Sequence, residues 1–285
     1  MIKLLLLIIP FILSASLEYT NSNYVKYLQG TLPIIISAPH GGTIQPDNIP
    51  NRTYGKKGRD RNTNLLAQDI ALEFHKQTGK YPYIIILELA RKKLDANREI
   101  KEAAQENQEA IKIYNTFHST IQNSIEEVNQ KFKQGLYIDL HGHSHPNNYI
   151  EFGYLLSNDI LKLPNSEIKK YQDVSSIKNL SNISKESFIE QLKGKNSLSG
   201  IMSKKGYKTI PSKNIPYALD DKYFKGAYNT KRYGSYYGGN INGVQIELPR
   251  VGFRDTEENR KKFAKDLVKS IIEFMMTHYD INLEK

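Results

Sequence analysis

The sequence contains no cysteine and no tryptophan in 285 residues. Without cysteine there is no thiol nucleophile, no cysteine-ligated zinc and no disulfide, so stability must come from the core. Long hydrophobic runs are scarce too. The longest covers residues 4–13, well short of the ~20 apolar residues needed to cross a bilayer. There is no compact Lys/Arg block and nothing resembling a nucleic-acid-binding motif, which argues against a nucleic-acid partner. Histidine is sparse, with seven in the chain, so a local cluster of them carries information.

The residues that are present make a folded, basic chain. The hydrophobic fraction of 39% is enough for one large domain with a substantial core. Lys and Arg outnumber Asp and Glu by 40 to 30. The lysines are spread along the chain, which predicts a basic surface with weak attraction for polyanions or acidic substrates. Lys3, the apolar run after it and Ser14-Ala15-Ser16 have the layout of a secretory signal. The expected organisation is a signal peptide over residues 1–16 and a single domain over 17–285. That predicts a secreted protein with no stable membrane insertion after cleavage.

Apolar runs at residues 32–38, 83–87, 136–140 and 244–248 read as buried strands, with a further strand at about 149–156. Helical periodicity falls between them, at about 62–79, 99–132 and 256–279. Residues 17–30 read as a surface lead-in and 41–61 as a long irregular loop. Residues 157–200 are rich in Ser, Asn and Lys with weak periodicity. A short helix at 185–192 is expected there, and the region reads as a variable insertion. The tyrosine- and glycine-rich stretch 223–239 reads as a site-lining loop. This order predicts an α/β three-layer sandwich, a mostly parallel mixed sheet with helices on both faces.

The chemistry concentrates where strands end. Residues 136–140 run straight into His141-Gly142-His143-Ser144-His145, and 32–38 into Pro39-His40-Gly41-Gly42. Two strands that deliver imidazoles at their ends can converge on one metal ion, and a catalytic zinc site takes three protein ligands and leaves a position open. His40, His141 and Asp60 are the candidate ligands, with His143 and His145 as rivals or proton-transfer groups. Asp60 can equally be a helix-capping acid, and His40 a turn histidine. Asp139 lies two residues before His141, hence on the same strand face, and can orient an imidazole. Glu247 stands inside an apolar strand, where a carboxylate is costly unless paired or used. It is the candidate general base, with an ion pair to Arg250 as the alternative. Arg98 can grip a substrate carboxylate through two parallel hydrogen bonds, or form a local loop ion pair.

In chain order the motifs are Pro39-His40-Gly41-Gly42, Asp60, Asp95-Ala96-Asn97-Arg98, Asp139-Leu140-His141-Gly142, residues 224–234 (FKGAYNTKRYG) and Gln245-Ile246-Glu247-Leu248. This ordered set resembles the N-formylglutamate amidohydrolase family. Gly142-His143 stands where that family has serine, and Lys231 where it has arginine. The resemblance implies a zinc carboxypeptidase-like fold and metal-dependent attack on an amide. It implies zinc on His40, Asp60 and His141, and catalysis by Glu247 with His143. Substrate contacts would come from Asn97, Arg98, Lys225, Tyr228 and Arg250. The expected substrate is a small molecule or short peptide carrying a carboxylate. A peptidase for γ-linked glutamyl polymers and a catalytically inactive polyanion-binding protein are the alternatives.

Overall fold

The computed structural model describes residues 18–220 and 222–284, so the expected signal segment lies outside the described residues. Among the described residues eight strands form one sheet. They are β1 (Thr20–Ser22), β2 (Val25–Leu28), β3 (Ile34–Ala38), β4 (Tyr83–Leu87), β5 (Gly135–Gly142), β6 (Ile150–Gly153), β7 (Thr209–Ile210) and β8 (Ile241–Leu248). Their spatial order is β1-β2-β4-β3-β5-β8-β6-β7. The four central strands, β4, β3, β5 and β8, are mutually parallel, while β2 and β6 flank them antiparallel. The long helices are α1 (Thr63–Thr78), α3 (Gln108–Phe132) and α10 (Glu257–Tyr279). The short ones are α2 (Ile100–Ala104), α4 (Asn158–Lys162), α5 (Asn165–Ile168), α6 (Leu180–Ile183), α7 (Phe188–Lys193), α8 (Leu198–Lys204) and α9 (Tyr228–Tyr233). This is the three-layer α/β sandwich expected from the sequence.

The central strands read as unbroken apolar runs because both faces of the sheet are covered. On one face Ile34, Ile36, Ile84, Ile138 and Ile246 pack with Leu66, Ile70 and Phe74 of α1 and Leu267 and Ile271 of α10. On the other, Ile35, Ile85, Tyr137 and Ile241 pack with Ile113, Phe117, Ile121 and Val128 of α3. Each fully buried side chain of this size contributes about 1.5–3 kcal/mol of transfer free energy. Among the described residues no helix is long and apolar enough to cross a membrane.

Two expectations need correction, and one region holds more structure than expected. Residues 17–30 are not merely a lead-in: β1 and β2 form a hairpin on the edge of the sheet. Its two turn residues, Asn23 and Tyr24, have φ of 46° and 61°, the double positive φ that suits a tight hairpin turn. The helix expected over 99–132 is two helices, α2 and α3. Gln105 and Glu106 break it with positive φ, and the Asn107 side chain accepts from the Ala110 N–H to restart it as an N-cap. In residues 157–200 the short helix expected at 185–192 is α7, joined by α4 to α6 and the start of α8, and Leu161, Ile168, Leu180, Leu192 and Leu198 join the α1/α10 side of the core. The serines that make this stretch look loop-like are caps. Ser157, Ser187 and Ser197 each accept a backbone N–H at the start of a helix.

Candidate metal centre and active-site cavity

Side chains alternate between faces along a strand, so the polar residues toward the ends of β3, β5 and β8 project on the α3 side. In register across the sheet, Ser37 faces Asp139, Asp139 faces Gln245 and His141 faces Glu247. These ends, the loops after β3 and β4 and the segment after β8 enclose a cavity of about 390 Å³. It sits outside the carboxyl ends of the parallel strands, where open α/β sheets bind ligands.

Three ligand atoms converge at its floor. His40 Nδ1 and His141 Nδ1 are 3.1 Å apart. Asp60 Oδ2 lies 3.3 Å from the first and 3.1 Å from the second. All three residues are buried. Each imidazole is held from behind by a carboxylate: His40 Nε2 is 2.7 Å from Asp95 Oδ1, and His141 Nε2 is 2.8 Å from Asp139 Oδ2. Both carboxylates are fully buried. Donating Nε2–H to a carboxylate leaves each Nδ1 with a free lone pair pointing at the same spot as the Asp60 oxygen. Three lone pairs so close repel one another unless a cation lies among them. Tetrahedral bonds of ~2.1 Å would set ligand atoms about 3.4 Å apart, close to the spacing found, and carboxylate-backed imidazoles are the usual support of such ligands. The group therefore fits a metal ion.

The long loop over 41–61 is pinned rather than loose. The Asp60 N–H bonds to His40 O at 3.0 Å. The buried Arg52 side chain donates to Lys56 O at 2.8 Å, Arg91 O at 3.1 Å and Glu102 O at 3.3 Å. Arg91 bridges the acids, with Nε 3.0 Å from Asp95 Oδ2 and Nη1 3.7 Å from Asp60 Oδ1. Burial alone would raise the Asp60 carboxyl, but His141 and His40 beside it, which donate to it when their rings are protonated, hold it well below the usual range.

Glu247 is the buried carboxyl beside this group, and Gln245 Nε2 donates to its Oε1 at 3.1 Å. Burial pushes it up to about 8; His141 opposes the shift, while the Asp60 and Glu151 carboxylates add to it. Asn97 lines the cavity with Nδ2 3.2 Å from His141 Nε2, and its Oδ1 accepts from the Asn229 N–H at 2.9 Å. Arg98 lines the wall, donating to Asn97 O at 2.7 Å and facing Glu102 at 3.3 Å. Arg250 lines the mouth and is exposed. Lys225 and Tyr228 do not line this cavity. Lys225 is exposed, and the Tyr228 hydroxyl is taken up by Tyr114 at 3.0 Å and Arg232 at 2.6 Å.

His143 lines the cavity, but both ring nitrogens are engaged. Nε2 is 2.8 Å from Tyr149 O, and Nδ1 accepts from the His145 N–H at 3.1 Å. Burial lowers its pKa to about 4, keeping it neutral. His145 has a buried carboxylate of its own, with Nδ1 2.7 Å from Glu151 Oε1, and its ring stacks on Phe224 at 4.6 Å. Reading residues singly misses Arg91, Glu151 and the roles of Gln245 and Asp95; only the last two carry a local cue, their places in Gln245-Ile246-Glu247-Leu248 and in the Asp95-Ala96-Asn97-Arg98 turn.

Gly142 has a steric reason. A Cβ there would lie 2.3 Å from Arg254 Cζ. The Arg254 guanidinium fills that space, donating to Leu248 O at 3.3 Å, to His143 O at 3.2 Å and to Arg61 O.

The sequence matches no protein-family description and no curated protein. Among solved structures, the N-formylglutamate amidohydrolase of Ralstonia eutropha is similar, with a TM-score of 0.58, 14% identity, and coverage of 90% of this chain and 98% of that one. A gene product of Agrobacterium tumefaciens is similar at a TM-score of 0.53 and 14% identity, covering 87% of this chain and 93% of that one. The chain thus shares the fold of the N-formylglutamate amidohydrolase structure, the family its ordered motifs resemble.

Proposed function

We propose that this protein is a secreted, zinc-dependent amidohydrolase that cleaves the amide of an N-acyl amino acid or short acidic peptide. The observation that carries the reading is the convergence of His40 Nδ1, His141 Nδ1 and Asp60 Oδ2, each imidazole backed by a carboxylate, beside the buried Glu247. A zinc ion held there would polarise a bound carbonyl and lower the pKa of a water. Glu247, aimed by Gln245, accepts the water's proton and passes it to the leaving nitrogen. His143 is saturated by Tyr149 and His145 and serves as scaffold, so proton transfer falls to Glu247. The grip on the substrate carboxylate falls to Arg98 and Arg250, the two proposed cations on the cavity wall, with Asn97 beside them. The name of the Ralstonia neighbour points to an N-acylated acidic amino acid as the first substrate to try. Secretion rests on the layout of residues 1–16.

The test is zinc content, by plasma mass spectrometry, together with hydrolysis of a panel of N-acyl amino acids by the zinc-loaded chain. About one zinc per chain is expected, and His141→Ala should lose both zinc and activity. A variant that keeps stoichiometric zinc would sink the ligand assignment. A wild-type chain without zinc or amide hydrolysis would favour the inactive polyanion-binding protein.

A further inference from the structure

The catalytic cavity does not end at its own wall. A second cavity of about 650 Å³ adjoins it, and Arg59, Arg61, Arg91 and Arg250 line both. Lys57 and Lys92 line only the second, so its lining includes six cationic residues and no acidic one. Of the six, Arg91 is committed to Asp95 and Asp60, and Lys57 Nζ reaches only a carbonyl, Thr53 O, at 2.9 Å. In the catalytic cavity the lining carboxylates are Asp60 and Glu247, both at the metal centre. Positive charge thus runs outward from the centre for the length of two cavities, and low-dielectric walls focus such a field.

We infer that the two cavities form one extended subsite for an acidic peptide, a chain with carboxylates on successive residues. The inference rests on the amidohydrolase reading, since it places a scissile amide over His40, Asp60 and His141 while flanking residues occupy the second cavity. Guanidinium groups match carboxylates with paired hydrogen bonds, and Arg59, Arg61 and Arg250 stand where the two cavities join. A single-stranded nucleic acid is the poorer fit, because no aromatic side chain lines the second cavity to stack on a base. A lone N-acyl amino acid would fill the first cavity and leave the second one's cations unused.

The test measures fluorescence anisotropy of labelled linear glutamate oligomers, two and six residues long, on the zinc-loaded full chain at low and high salt. The hexamer should bind at least tenfold more tightly than the dimer at low salt, and the advantage should shrink at high salt as screening grows. Lys57→Glu with Lys92→Glu should bring the hexamer's affinity to within about threefold of the dimer's, since each reversal replaces attraction by repulsion near the surface. Equal affinity for the two lengths, or a double variant that keeps the hexamer's advantage, overturns the subsite. So does inorganic polyphosphate displacing the hexamer at equal charge concentration. Hydrolysis is read on the same samples. Cleavage of N-acyl amino acids without length-dependent binding removes the subsite and spares the amidohydrolase. Length-dependent binding without cleavage of any amide does the reverse.

Discussion

The two carboxylates behind the imidazoles should fail differently when neutralised. Asp95 uses both its oxygens: Oδ1 takes His40 Nε2 at 2.7 Å and the Asn97 N–H at 3.1 Å, and Oδ2 takes Arg91 Nε at 3.0 Å. Asp95→Asn must turn one of those oxygens into an NH₂ that opposes a donor, most damagingly Arg91. That pair is buried, with side chains 0% and 10% exposed, and stripping one partner from a buried pair costs about 3–5 kcal/mol. For a chain of this size each kcal/mol is worth roughly 2–4 °C, so the metal-free variant should melt roughly 6–20 °C lower. Asp139 instead takes His141 Nε2 at 2.8 Å and the Ser37 hydroxyl at 2.6 Å, with the Tyr137 hydroxyl and Asn229 Nδ2 farther off at 3.4 Å. In Asp139→Asn the NH₂ can face the two hydroxyls, which can turn to accept, while the carbonyl still accepts from the ring. The charge behind His141 and the long contact from Asn229 are lost, and about 1–2 kcal/mol of stability goes with them. Both variants should lose metal affinity, by about 10–100-fold, the usual cost of removing such a support. Chelator competition gives the affinity, and calorimetry on chelator-treated protein gives the melting temperature. Unchanged zinc affinity in both variants would refute the role assigned to the carboxylates, and equal melting losses would refute the part given to Arg91.

Glu247→Gln should fold, bind zinc normally and lose on the order of 10²–10⁴-fold in kcat; a zinc-loaded, fully active variant would eliminate Glu247 as the base. Gly142→Ser should displace the Arg254 guanidinium from three carbonyls and cost about 2–4 kcal/mol in chemical denaturation. Adding Arg254→Ala should make the serine nearly harmless, and additive losses would count against the steric account. His118, on α3, is held neutral: burial lowers its pKa to about 3, with help from Arg232. The folded chain then binds fewer protons there than the unfolded one. Its share of stability is complete above about pH 6.5 and is lost as pH falls toward 3. His118→Gln should flatten the melting temperature against pH over that window, and an unchanged slope would show that other groups set it.

The parallel strands were legible because strands buried on both faces are written as continuous apolar runs. His141 and Glu247 were legible for the matching reason, as polar residues that interrupt such runs near the carboxyl ends of the strands. Asp139 followed from His141 by the two-residue repeat. Asp95 did not follow from anything near His40, because the two are 55 residues apart and meet only through the order β4-β3-β5. Arg91 was hidden for the same reason, since its two acids come from different loops. The repeat also misleads once the strand stops. It puts His143 on the same face as His141, but β5 ends at Gly142, and beyond it His143 turns to Tyr149 while His145 turns to Glu151. One strand end therefore supplies histidines to two different carboxylate systems, and their assignment depends on where the backbone leaves the sheet. At that point Arg254 occupies the space above Gly142 and ties down the carbonyls of Leu248, His143 and Arg61. A residue 112 positions after Gly142 thereby braces the strand end at which the cluster divides.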